Sequence, residues 1–193
     1  MPERTTATAA RVDPRGPLVF DTRSFAHRPG TMERWRGTVV APADLELPLV
    51  GVPEGTDIEL DLRFESVVEG VLVSGTARTT YTGECARCLE PISSPVEVGL
   101  QELFAHPGPD VGEDESLLEG DLLDLEPVLR DAVLLELPQS PVCSEDCPGL
   151  CATCGVRLAE AGPEHRHDSA DPRWAGLAGL YERMTNENED RES

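Results

Sequence analysis

The residues able to do chemistry in this sequence are six cysteines, spaced as Cys85-x2-Cys88, Cys143-x3-Cys147 and Cys151-x2-Cys154, followed by His165-x-His167. Thiolates and imidazoles in close pairs are the donors of tetrahedral zinc sites. A Cys-x-x-Cys turn lets both sulfurs reach one ion while backbone N–H groups inside the turn bond to the thiolates. Glycine after the second cysteine supplies the positive φ such a turn often needs, and Gly155 stands there. Leu89 follows Cys88, so that knuckle is the weaker one taken alone. Three partitions are open. Cys85, Cys88, Cys143 and Cys147 hold one ion and Cys151, Cys154, His165 and His167 a second; or the four C-terminal cysteines form one site; or the two Cys-x-x-Cys turns meet in one. The first uses every pair. His27 and His106 have no partner spacing.

The rival chemistry is redox. A Cys-x-x-Cys redox motif normally opens a helix after a strand, where the helix N-terminus lowers the thiol pKa. Cys85 and Cys88 fall between two predicted strands, and Gly155 is unsuited to a helix interior. A thiol-disulfide oxidoreductase using Cys85 and Cys88 is therefore the alternative reading. No phosphate-binding glycine loop, His-Glu-x-x-His or nucleophile–base pair is present. A full four-ligand set also leaves no open position for substrate. The expectation is structural zinc, one or two ions, in a protein that is not an enzyme and has no small-molecule substrate.

The elements that must position these residues read as α+β. Ile58, Leu60, Leu62 and Phe64 alternate with polar residues, which predicts a half-buried strand. A turn near Gly70 leads to a second, with Val71, Val73, Ala77, Thr79 and Tyr81 on one face. Val96, Val98 and Leu100 give a third, so Cys85 and Cys88 lie on the hairpin loop between the last two. Pro17 to Phe20 and Thr38 to Val40 are shorter candidates, and Pro48 makes the Leu45–Leu49 stretch an edge or extended loop. Residues 106–121 read as an acidic loop. Asp124 is placed to cap a helix with the stripe Leu125, Val128, Leu129, Ala132 and Leu135, ended by Pro138. Asp171 and Pro172 look like a second helix start, with Trp174, Leu177, Ala178 and Tyr181 packing. The predicted organisation is a disordered tail over residues 1–16, one domain over 17–184 with its zinc-binding segment at 143–167, and a disordered acidic tail over 185–193.

The formal net charge is −21, and all sixteen cationic side chains are arginine. Residues 1–36 hold seven arginines against four acids, and the remainder is strongly acidic. Such a field repels polyanions, so contact with RNA must be local or made through a basic protein. No apolar run reaches membrane-spanning length and the N-terminus has no signal-peptide core, which points to a cytoplasmic protein with no membrane partner. Clustered cysteines in a reducing compartment favour metal over disulfides.

The ordered set Cys85-Ala-Arg-Cys88-Leu-Glu-Pro91, an acidic loop, a helix ending in Leu137-Pro138, and Cys143-x3-Cys147-Pro-Gly-Leu-Cys151-x2-Cys154-Gly155 resembles the YceD family, the large ribosomal RNA subunit accumulation proteins. The opening Leu18 to Arg23 and the late Asp171 to Ala175 look like its actinobacterial branch. Many relatives carry Cys-x-Cys where this chain has His165-x-His167, an exchange that fits a ligand pair. The resemblance implies a non-enzymatic role in large-subunit ribosomal RNA accumulation and ribosome assembly. It implies as partners the large-subunit precursor and its ribosomal RNA. A third reading, taken from the charge, is an adaptor whose acidic loop at residues 106–121 binds a basic ribosomal protein. If RNA is touched directly, Arg23, Arg28, Arg34, Arg36 and Arg87 are the candidates.

Overall fold

A computed structural model describes residues 12–109, 112 and 115–167. The chain forms two compact units, residues 1–147 and 148–193. The first is built on a five-stranded antiparallel sheet from β2 (Met32–Val40), β3 (Val50–Gly51), β4 (Asp57–Ser66), β5 (Gly70–Glu84) and β6 (Pro91–Ala105). β5 is the spine. β6 pairs with it along its whole length, from Gly70↔Ala105 to Glu84↔Pro91. Its other edge is shared by β4, against residues 71–78, and β3, against Thr82 and Gly83. β2 lies outside β4.

Alternation sets which face is buried. Ile58, Leu60, Leu62 and Phe64 of β4, Val71, Val73 and Ala77 of β5, and Val96, Val98, Leu100 and Phe104 of β6 form one core. The register puts Arg63, Ser74, Thr76 and Arg78 on the opposite face. Helix α1 (Glu126–Glu136) lies against β6 with Leu129 and Val133 buried. A two-stranded ribbon of β1 (Val19–Asp21) and β7 (Leu122–Asp124) leads into α1, and Leu125 N–H continues it to the Leu18 carbonyl at 3.0 Å. Phe20 on β1 sits edge-on to Trp35 (5.2 Å) and tilted against Phe64 (5.1 Å). The buried hydroxyls of Thr22 and Ser66 donate to the carbonyls of Asp121 and Ala26, each at 2.9 Å, as buried polar groups must.

Three expectations change. β2 starts at Met32 rather than Thr38. Of its core-side positions 33, 35, 37 and 39, only Trp35 and Val39 are large and apolar, too thin an alternation to read. The Trp35 ring covers Gly37, where an added Cβ would come within 2.7 Å of it. On α1 the buried line is Leu125, Leu129, Val133 and Leu137, while Leu135 is 87 % exposed. Leu135 lies two residues beyond Val133, roughly 200° around the helix. The N-cap of α1 is Leu125, without a side-chain cap; Asp124 reaches the Glu126 N–H (3.0 Å) from one position further out.

In the acidic loop, residues 116–118 run beside the end of β6: Ala105 N–H donates to the Ser116 carbonyl and Leu118 N–H to the Ala105 carbonyl. Leu118 is buried there. Residues 13–16 form a turn, Gly16 N–H to the Asp13 carbonyl at 2.9 Å. Residues 1–11, the helix expected from Asp171 with Trp174 and Tyr181, and the acidic tail lie outside the described residues.

Candidate metal centres

The first centre grows from the β5–β6 turn. Cys85 N–H donates to the Glu90 carbonyl (2.8 Å) and Leu89 N–H to the Cys85 carbonyl (2.9 Å), closing a six-residue knuckle. Leu89 takes φ 60°, the left-handed conformation that glycine adopts without strain. The absence of glycine after Cys88 therefore does not prevent the turn. The end of β5 is held on its other side by the Leu49 carbonyl, which accepts the Glu84 N–H at 2.9 Å. That approach explains Gly83, where an added Cβ would lie 2.1 Å from the Leu49 oxygen.

The second limb follows α1. Leu137 ends the helix in an extended conformation. Pro141 is buried, and its carbonyl accepts the Ala86 N–H at 2.7 Å. The chain then delivers Cys143 and Cys147. Arg87 clasps the two limbs: its backbone N–H points at Cys85 Sγ (3.4 Å), and its Nη1 donates to the carbonyls of Glu145 (2.9 Å) and Cys147 (3.1 Å).

Cys85, Cys88 and Cys147 are buried and pack against Ile92. Cys85 and Cys147 sulfurs are 3.8 Å apart, and Cys88 and Cys143 sulfurs 3.7 Å. Four thiolates around a tetrahedral ion with Zn–S near 2.3 Å stand about 3.8 Å apart. All six cysteines are free. Burial would raise the Cys85 thiol, but the N–H groups of Cys143, Arg87 and Cys88 bring it from 9.0 down to about 6. Cys88 gains a backbone donor from Glu90, yet burial and the neighbouring sulfurs push it up to about 12. Cys143 is raised as well, first by Cys147. A lowered Cys85 thiol beside raised Cys88 and Cys143 is a set from which a divalent ion displaces protons on binding.

The second centre lies within residues 148–193 and repeats the knuckle. Cys151 N–H donates to the Val156 carbonyl and Gly155 N–H to the Cys151 carbonyl, both at 2.8 Å, with Gly155 at φ 72°. A four-residue helix, α2 (Leu158–Ala161), and Gly162 at φ 76° turn the chain back. This brings His165 and His167 to Cys154: His165 Nε2 is 3.4 Å and His167 Nε2 3.3 Å from its sulfur, and the two Nε2 atoms are 2.9 Å apart. Around a zinc ion, mixed sulfur–nitrogen edges are about 3.6 Å and nitrogen–nitrogen edges about 3.3 Å. The Cys151 thiol is lowered to about 6 by the N–H groups of Cys154 and Thr153 and by His165. Cys154 and His167 are exposed, Cys151 and His165 half-buried.

Each centre therefore brings four donors within 4.8 Å of one another and could hold a metal ion. The grouping is that of the first partition. The Arg87 clasp and the Pro141 carbonyl have no signal in the spacing, since both depend on where the helix returns the chain. His27 and His106 stack at 5.2 Å, with His27 Nε2 3.1 Å from Asp121 Oδ1. The five candidate RNA-contacting arginines are spread over the first unit. Arg23 pairs with Asp21 and Asp121, Arg28 lies in the loop before β2, Arg34 and Arg36 stand on the outer face of β2, and Arg87 is in the clasp.

Among the described residues no helix is long and apolar enough to cross a membrane. No solved structure matches the chain. An uncharacterized protein of Mycobacterium tuberculosis is 49 % identical over 171 residues, 85 % of this chain and 81 % of that protein. The uncharacterized protein YlbN of Bacillus subtilis is 32 % identical over 108 residues, 52 % of this chain and 63 % of that one. The chloroplastic large ribosomal RNA subunit accumulation protein YCED homolog 1 of Arabidopsis thaliana is 23 % identical over 164 residues, 68 % of this chain and 51 % of that protein. The family model described as large ribosomal RNA subunit accumulation protein YceD matches residues 73–181, more than half the chain and both knuckles, and on that match the chain belongs to the YceD family.

Proposed function

We propose that this protein is a non-enzymatic, cytoplasmic factor in large-subunit ribosomal RNA accumulation and ribosome assembly, with two structural zinc ions. The observation that supports it most is the pair of complete donor sets in a member of this family. Cys85, Cys88, Cys143 and Cys147 would hold one ion, and Cys151, Cys154, His165 and His167 the other. Sulfur and imidazole sets of this kind suit zinc, and four protein ligands leave it no open position for substrate. Zinc bound in this way supplies charge and fixed directions rather than a reaction. The protein's own residues do the rest: the knuckle N–H groups stabilise thiolates, and Arg87 fixes the returning limb. Partners on this reading are the large-subunit precursor and its RNA, or a basic ribosomal protein drawn by the −21 charge.

The test is sedimentation of the tagged chain from cells. Co-migration with large-subunit precursors is expected, and a wholly free pool contradicts the reading. Native alkylation separates it from a thiol oxidoreductase: zinc thiolates react slowly until chelator is added, whereas a redox dithiol reacts at once.

A further inference from the structure

The outer face of the sheet sets arginines from three strands beside hydroxyls. In the register one row across it reads Arg34, Arg63, Ser74, Gln101, and the next Arg36, Asp61, Thr76, Gly99. Arg34, Arg36, Asp61, Arg63, Ser74 and Thr76 line a shallow trough of about 260 Å³. Three cations and two hydroxyls against Asp61, with Glu65 on Arg63 as the second acid, are unusual company in a chain of net charge −21.

The trough is also unsettled as it stands. Arg34 and Arg63 are direct cross-strand partners, an arrangement that costs stability. Arg63 Nη2 pairs with Glu65 at 2.6 Å, but its Nε is buried without a partner. Arg36 is paired with Asp61 at 2.9 Å. Arg34 acts on Asp61 only through its field and has no hydrogen-bonded acceptor among the described residues. An anion between Arg34 and Arg63 relieves their repulsion and supplies the acceptor Arg34 lacks. Gly99 keeps the β6 side open, since an added Cβ there would meet nothing within 4 Å.

We propose that this trough binds phosphate oxyanions of a single RNA strand, with Arg34 and Arg63 as the cations and the Ser74 and Thr76 hydroxyls as further donors. This rests on the ribosomal reading above. Trp35 faces the core side of β2, so the trough offers no ring for base stacking, and contact is with the backbone rather than the sequence. The acidic remainder of the molecule limits the contact to one or two phosphates. The candidate set thus narrows to Arg34 and Arg36 with Arg63 added, because these three line the trough while Arg23, Arg28 and Arg87 lie outside it.

The test uses the full zinc-loaded chain and a short fluorescein-labelled single-stranded RNA. Arg34→Glu sets an acid opposite Arg63, so its Tm should equal or exceed that of the wild type. Its RNA affinity should fall at least about tenfold, the value of one charge-assisted contact, while Arg28→Glu, the same charge change outside the trough, falls much less. Arg63→Gln provides a second loss without a new acid. The slope of log affinity against log salt should be shallow, about −0.7 per phosphate. Equal losses from Arg34→Glu and Arg28→Glu, no RNA binding by the wild type, or equal binding of an acidic peptide overturns the proposal. If Arg34→Glu keeps full RNA affinity and still co-sediments with precursors, the trough is wrong and the ribosomal role stands. A wild type that never co-sediments removes the role itself.

Discussion

The two centres share one backbone and differ in everything that surrounds it. In each, the first cysteine N–H bonds five residues on, the residue after the second cysteine takes positive φ, and the loop closes at 2.8–2.9 Å. The first knuckle, however, is the tip of two fifteen-residue paired strands, with three buried sulfurs and an arginine clasp. The second is carried by short loops and a four-residue helix, with Cys154 and His167 exposed. The contrast teaches that one knuckle backbone, with four sulfurs in one case and two sulfurs and two imidazoles in the other, can serve different ends. An ion at the first centre would fasten the chain after α1 onto a sheet that has its own core. In the second unit no described residue belongs to that core, and an ion there would supply much of what holds the described part together.

Breaking the first centre should therefore cost most. Cys85→Ser is expected to lose one zinc and more than about 3 kcal/mol of stability in denaturant unfolding, because it exposes a buried site as well as removing a ligand. Arg87→Ala should come next, about 1.5–3 kcal/mol from its charged hydrogen bonds, with faster zinc release from the first centre alone. His165→Ala should also lose one zinc yet leave the main unfolding midpoint within about 0.5 kcal/mol of wild type; a larger shift would mean the two centres are energetically linked. A further pair of substitutions sharpens the knuckle comparison itself. Leu89→Gly should stabilise by about 0.5–1 kcal/mol by relieving a left-handed leucine, and Gly155→Ala should destabilise by a similar amount. Equal signs for the two would contradict the shared turn. In a chelator time course, zinc should leave in two phases, the exposed centre first.

The cysteine spacing and the strand alternation of residues 57–100 were legible because both are local patterns. Period two placed Leu60, Val73 and Val98 on one face, and the hairpin put Cys85 and Cys88 at its tip. Leu89 was harder: its residue type argues against the positive φ that it adopts, and the neighbouring strands impose it. β2 escaped for a different reason, since its outward arginines and small Gly37 hide the alternation until Trp35 is seen to fold over the glycine. The buried face of α1 was misjudged at Leu135 because a short helix with leucines all round gives no unique stripe. The Arg34–Arg63 juxtaposition lies in the register of two strands far apart in sequence, which no local pattern reports.

Two closed metal sites in one chain should hold two ions. Native mass spectrometry of the reduced, purified protein tests this most directly. Two zinc ions are expected in the wild type, one in Cys88→Ser and one in His167→Ala. A wild type carrying no zinc, or one whose ion survives both substitutions, contradicts it.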